Sequence, residues 1–183
     1  PTSPDGHNPA CPMKLETELN QIDRELLLEA TEGFVPERVF DFHAHVMHPD
    51  YYAPEFVSPA LTGKTIDCRD YTRAVQQLLP NRRLEGALIF PYTTRRSDRP
   101  GVNRWMFSDL QATAKNQYVA ALALVAPTDD QVLIAEWLAT GLCVGLKPYH
   151  LFVHPGDTTQ CALEEYAPEW MWRLCDQHRG ILM

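Results

Sequence analysis

Hydrophobic positions along the chain switch between two spacings, and the switches mark out its elements. Leu15, Leu19, Ile22 and Leu26 recur every three or four residues, which predicts an amphipathic helix over about residues 14–31, stopped by Gly33. RVFDFHAHV, residues 38–46, reads as a short buried strand. From there one unit repeats. A Pro-rich loop over 47–64 leads into a helix near 68–79, with Asp67 or Asp70 as its cap. GALIFPY, residues 86–92, is the second strand, followed by the basic loop TTRRSDRPG and a helix from about Val102 to Lys115. YVAALALVA, residues 118–126, is the third strand; Pro127, Thr128 and Asp129 open the next helix, which Gly141 closes. LCVGLKPY, residues 142–149, is the fourth, and a loop to about residue 162 precedes a helix ending at Gly180. Ile181, Leu182 and Met183 read as the start of a fifth strand. Residues 1–13, polar and Pro-rich, read as a disordered leader, leaving 14–183 as one domain.

Apolar strands alternating with helices predict an α/β fold with a parallel sheet and crossover helices. The strands are apolar on both faces, as expected where helices cover one side and a packed interior the other. No G-x-G-x-x-G or G-x-x-x-x-G-K-[ST] follows any strand, so a nucleotide-binding doubly wound sheet gains no support. Four complete βα units and the opening of a fifth match half of a (β/α)8 TIM barrel, which typically needs about 250 residues. The expected fold is therefore the first four to five βα units of such a barrel, preceded by an N-terminal helix.

Composition narrows the classes. The chain has 183 residues, 45% hydrophobic and 22% charged, with a net charge of −8. Its only basic cluster is Arg95, Arg96 and Arg99, so a nucleic-acid or anionic-membrane surface is not expected. No apolar run approaches the roughly 20 residues that span a bilayer, and the N-terminus has no secretion-signal pattern. The five cysteines are widely spaced and form no C-x-x-C, which predicts reduced thiols and a cytoplasmic location.

The chemistry concentrates in the first strand. With a period of two, Val39, Asp41, His43 and His45 share one face, and Phe40, Phe42, Ala44 and Val46 share an apolar face suited to a layer of helices. Parallel α/β folds place their sites at the strands' C-terminal edge, where both imidazoles fall. Two imidazoles one pleat apart can converge on one divalent cation, which would activate water and polarise a carbonyl or phosphoryl oxygen. Asp41 would orient a ligand imidazole or pack as a satisfied buried acid. A pair of structural histidines capping the barrel end is the competing reading. With seven histidines in the chain, H-x-H alone is weak; the preceding Asp in phase and the strand-end position strengthen it.

RVFDFHAHV resembles the first strand of the amidohydrolase superfamily, whose D-x-H-x-H signature supplies two metal ligands. More narrowly, EGFVPERVFDFHAHV, Asn103 after the second strand, GLKPYH and PEWMWRLCDQHRGILM are similar to the amidohydrolase-2 branch, which includes decarboxylases related to aminocarboxymuconate semialdehyde decarboxylase. The similarity covers about residues 20–183. Polymerase-and-histidinol-phosphatase hydrolases and TatD-type nucleases share parts of the motif, but their S-D-G and H-x-H-L-D are absent here.

The resemblance implies His43 and His45 as ligands of one divalent ion, zinc first and manganese second. It implies a metal-dependent hydrolase, using metal-activated water on a small organic acid, lactone or amide, or a related non-oxidative decarboxylase (a lyase). In the fourth strand Cys143, Gly145, Lys147 and Tyr149 share a phase, which points Lys147 into the barrel. Buried lysine is costly without a role or partner, so Lys147 is expected to bind a substrate carboxylate or support catalysis, with an ion pair to a barrel acid as the alternative. Tyr149 and His150 are the accompanying substrate-binding candidates. His154 and His48 are loop histidines, Tyr92 and the three arginines a lid after strand two, and His178 a helix-face residue. The family's third ligand, a His ending strand five, and its acid/base Asp on strand eight match no residue here. The expectation is therefore an incomplete fragment, inactive by itself. The alternatives are a self-sufficient half that dimerises, a possible homo-oligomer, or a non-catalytic half-barrel module used in binding or assembly.

Overall fold

The structure is a computed structural model that describes residues 19–53, 55, 57, 61–113, 118–141 and 143–183. The leader predicted for residues 1–13 and the first residues of the predicted opening helix lie outside that set. The described elements run α1 (Gln21–Thr31), β1 (Arg38–Val46), α2 (Cys68–Gln77), β2 (Arg83–Pro91), α3 (Arg99–Thr113), β3 (Tyr118–Val125), α4 (Gln131–Ala139), β4 (Cys143–Pro148), α5 (Leu163–Tyr166), α6 (Glu169–His178) and β5 (Ile181–Leu182). All five strands are parallel, in the order β1-β2-β3-β4-β5, and they curl into a half-barrel.

Local chemistry sets the boundaries. Asn20 caps α1 in a reciprocal capping box with Asp23, Asp67 caps α2, and Asp130 caps α4. Asp129, one of the residues expected to open α4, instead bonds Arg99 and the Ala126 N–H. α3 begins at Arg99, earlier than expected, because Pro100 in a first turn forfeits no intrahelical hydrogen bond. β2 begins at Arg83, so its first turnings carry charge; Arg38 and Glu85 pair across the ladder at 2.6 Å. The last predicted helix is two: Pro168 separates α5 from α6, which Arg179 ends in the left-handed region at φ 52°.

Two clusters form under the helices. Ala44, Val46, Ala87 and Ile89 pack against Cys68 of α2 and Met106 and Leu110 of α3. Ala123, Val125, Cys143 and Leu146 pack against α4 and α6 through Ile134, Trp137 and Met171. The opposite, concave face carries Leu88, Phe90 and Leu122, with Val144 and Ile181 against them. Asn103 is fully buried; its amide donates to the Leu124 carbonyl at 2.8 Å and accepts from the Leu124 N–H at 2.9 Å. The β2–β3 ladder stops at Ile89↔Ala121, so Asn103 satisfies the β3 backbone where the two strands part.

Bulges correct two of the expected faces. Phe42 and His43 together oppose the single residue Leu88, because Asp41 pairs with Ala87 and Ala44 with Ile89. Asp41 therefore lies on the helix side with Ala87, not with the two histidines. Phe40, paired with Gly86, falls on the concave side; Phe40 and Phe42 are 49% and 53% exposed rather than covered by helices. In β4 the register shifts between Cys143 and Gly145, which sends Cys143 to the helix side and Val144 to the concave side. A strict two-residue period misplaces a side chain on the far side of each such insertion.

Among the described residues no helix is long and apolar enough to cross a membrane. Cys68, Cys143, Cys161 and Cys175 are free thiols. Burial raises the Cys143 thiol and pushes Cys175 up to about 11, so both stay protonated and unreactive.

Candidate functional site

The bulge that turns Asp41 outward keeps His43 and His45 together on the concave face. Their Nε2 atoms are 3.2 Å apart, at the C-terminal end of β1. Both rings stand edge-on to Phe90 of β2, with centroids at 4.8 Å for His43 and 4.6 Å for His45. The His45 Nδ1 lies 3.4 Å from the Pro91 carbonyl; donating there fixes the tautomer and leaves Nε2 as an acceptor facing the His43 Nε2. Tyr92 also stands edge-on to His45, with centroids 6.0 Å apart.

Lys147 reaches the same place from β4, as its phase predicts. It pairs in register with Leu124, is 9% exposed, and places Nζ 4.9 Å from the Phe90 ring and 5.2 Å from the Tyr149 ring. Among the described residues no carboxylate pairs with it, so the alternative of an ion pair with a barrel acid finds no partner there. Burial lowers its pKa. The aromatic faces supply part of the compensation a buried ammonium needs. Tyr149 is half-buried, its phenol raised by burial with an opposing contribution from the Thr93 hydroxyl.

The remaining candidates are spent elsewhere. His150 bonds Thr158 through Nδ1 at 2.8 Å and stands edge-on to Tyr166. His154 is exposed and bonds the Pro155 carbonyl. His48 accepts from the Asp50 N–H and packs on Trp105. His178 is exposed in the last turn of α6. Arg95 donates to the carbonyls of His154 and Gly156, while Arg99 forms an ion pair with Asp129 and stacks on Phe152. Arg95 thus ties the loop after β2 to the loop after β4, while Arg96 reaches Glu55 in the loop after β1 at 3.7 Å. Sequence reasoning missed Phe90 as the ring on which His43, His45 and Lys147 converge. Its place in an apolar strand held no signal beyond its phase.

The separation of the two imidazoles fits two of the ligands of a single metal ion. Nitrogens bonded at roughly 2.0–2.1 Å to a tetrahedral zinc lie about 3.3 Å from each other, close to the separation observed here. A third donor does not join them: no group of three His, Cys, Asp or Glu side chains able to hold an ion exists among the described residues. Comparison of the chain with protein-family models, curated proteins and solved structures found no match.

Burial lowers the His45 pKa, and the neighbouring His43 and Lys147 add to that against the Pro91 carbonyl. The neutral ring is therefore the one folding favours. Its contribution to stability is fully present above about pH 6.5, the unfolded value, and is lost as pH falls through the lower folded value. In chelator-treated protein, the urea midpoint of wild type is expected to fall more between pH 7 and pH 5 than that of His45→Gln. Equal falls in both would contradict this assignment.

Proposed function

We propose that this chain is the amidohydrolase-type first half of a (β/α)8 barrel. Its strand ends would serve a metal-dependent hydrolase, or a related non-oxidative decarboxylase, acting on a small carboxylate-bearing acid, amide or lactone. The observation that carries the reading is the 3.2 Å approach of the His43 and His45 Nε2 atoms on the face that also receives Lys147. A divalent ion such as zinc would supply Lewis-acid polarisation of the scissile group and a nucleophilic oxygen near neutral pH. His43 and His45 would hold it, and the Pro91 carbonyl would keep the His45 lone pair aimed inward. Lys147 would receive the substrate carboxylate, exchanging aromatic faces for a charge-assisted hydrogen bond in a partly dry site. Phe90 would form the apolar floor.

Zinc-dependent turnover of such compounds, abolished by chelation, tests the activity. The substrate role of Lys147 is testable without turnover, by NMR titration with benzoate and with benzamide. Charge-assisted hydrogen bonds contribute about 1.5–3 kcal/mol, so wild type is expected to prefer benzoate by about 10- to 100-fold and Lys147→Met to lose that preference. An unchanged preference in Lys147→Met would contradict the role. The exposed Phe40 and Phe42 on the concave face favour a second reading, a non-catalytic half-barrel used in assembly. It predicts association through that face with no zinc-dependent turnover.

A further inference from the structure

The bulge at Phe42–His43 takes the His43 N–H out of the regular ladder and leaves it to find a partner outside the sheet. Asp41 supplies the partner: its Oδ1 accepts from the His43 N–H at 2.8 Å. Its other oxygen, Oδ2, accepts from the Tyr71 hydroxyl, which comes from α2 on the helix side of the sheet. α2 is itself fixed at that end. Asp67 caps it, and the Cys68 N–H donates to Asp109 of α3 at 2.9 Å. A connected series of bonds thus runs from the helix layer, through the sheet, to the backbone of one of the two converging histidines.

We infer that Asp41 and Tyr71 are a positioning pair: from the helix side they lock the Phe42–His43 bulge and hold the His43 ring against His45 on the concave side. The inference rests on the proposed metal-binding reading but reaches beyond it. The carboxylate of the D-x-H-x-H strand acts through the backbone of the first histidine, on the opposite face from the ion, and needs a tyrosine from the neighbouring helix. An aspartate with no helix partner would be free to rotate and would leave the bulge unsupported.

Two readouts separate the pair from the metal site. The first is hydrogen exchange at the His43 amide in metal-free protein, expected to quicken at least about tenfold in Asp41→Ala and less in Tyr71→Phe. The second is Co2+ affinity, followed by visible absorption, expected to weaken about 10- to 100-fold in Asp41→Ala and several-fold in Tyr71→Phe. Tyr71→Phe is the milder variant should Asp41→Ala fold poorly. Ile134→Val, a core change in α4, serves as a control for general destabilisation and is expected to leave both readouts alone. If His43→Ala abolishes Co2+ binding while the Asp41 and Tyr71 variants keep wild-type affinity, the positioning role is overturned and the metal site stands. Equal weakening by Ile134→Val also overturns it. If His43→Ala binds Co2+ like wild type, the metal reading falls, and His43 amide exchange alone decides the pair: wild-type exchange in both variants overturns it.

Discussion

Alanine at either His43 or His45 is expected to weaken Zn2+ binding by on the order of several hundredfold, measured by competition with a chromophoric chelator at pH 7.5. Four-ligand zinc sites in small domains carry roughly 10–16 kcal/mol, or about 2.5–4 kcal/mol per ligand. The two Nε2 atoms are the converging donors among the described residues, so each is expected to contribute a full share. Removing one leaves a single imidazole with no chelate partner. Replacement of His150 or His154, whose Nδ1 atoms already serve Thr158 and the Pro155 carbonyl, is expected to change affinity less than twofold. Loss of binding in those variants equal to that in His43→Ala would move the site to the loop after β4.

Gly145→Ala is expected to destabilise the fold by about 3 kcal/mol or more, read from urea unfolding, and to free β5 from the sheet. A Cβ at this position would stand 2.0 Å from the Ile181 carbonyl oxygen and 2.6 Å from its nitrogen. Both are backbone atoms of the neighbouring strand, so no side chain can swing aside, and overpacking of even flexible neighbours costs about 1–3 kcal/mol. The pairs Gly145↔Ile181 and Leu146↔Leu182 hold β5 in place, and the Met183 N–H donates to the Leu146 carbonyl at 3.1 Å. Exchange of the Met183 amide is therefore expected to become fast in Gly145→Ala. Retained protection there would show that β5 accommodates the methyl group. Because β4 also carries Lys147, the same substitution is expected to disturb the concave site from its far edge.

Periodicity alone revealed most of the fold's order: each predicted strand corresponds to an observed one, and the helices fall between them. The parallel sheet followed from that alternation, since a crossover connection brings each new strand in beside the last. The site was legible only in part, and the reason is local. His43 is the second residue of the bulge in β1 and His45 lies beyond it, so their relative phase survived. Asp41 lies before it, so counting by twos put its carboxylate on the wrong face. Lys147 and Gly145 likewise lie on one side of the β4 irregularity, and Cys143 on the other. Nothing in the residue types announced either insertion. The tie between Tyr71 and Asp41 spans 30 positions, and Asn103 meets the Leu124 backbone across 21. Such tertiary bonds satisfy groups that local patterning cannot see. Helix ends were misread where Pro100 and Pro168 act as a starter and a divider rather than as loop residues.

Long-range 1H–15N correlation of the imidazole rings while Zn2+ is added tests the metal pair most directly. The account predicts that the Nε2 resonances of His43 and His45 move together as the ion binds, while the His45 Nδ1 keeps its proton toward the Pro91 carbonyl. Zinc binding that leaves both Nε2 resonances where they were, or that shifts only other histidines, would contradict it.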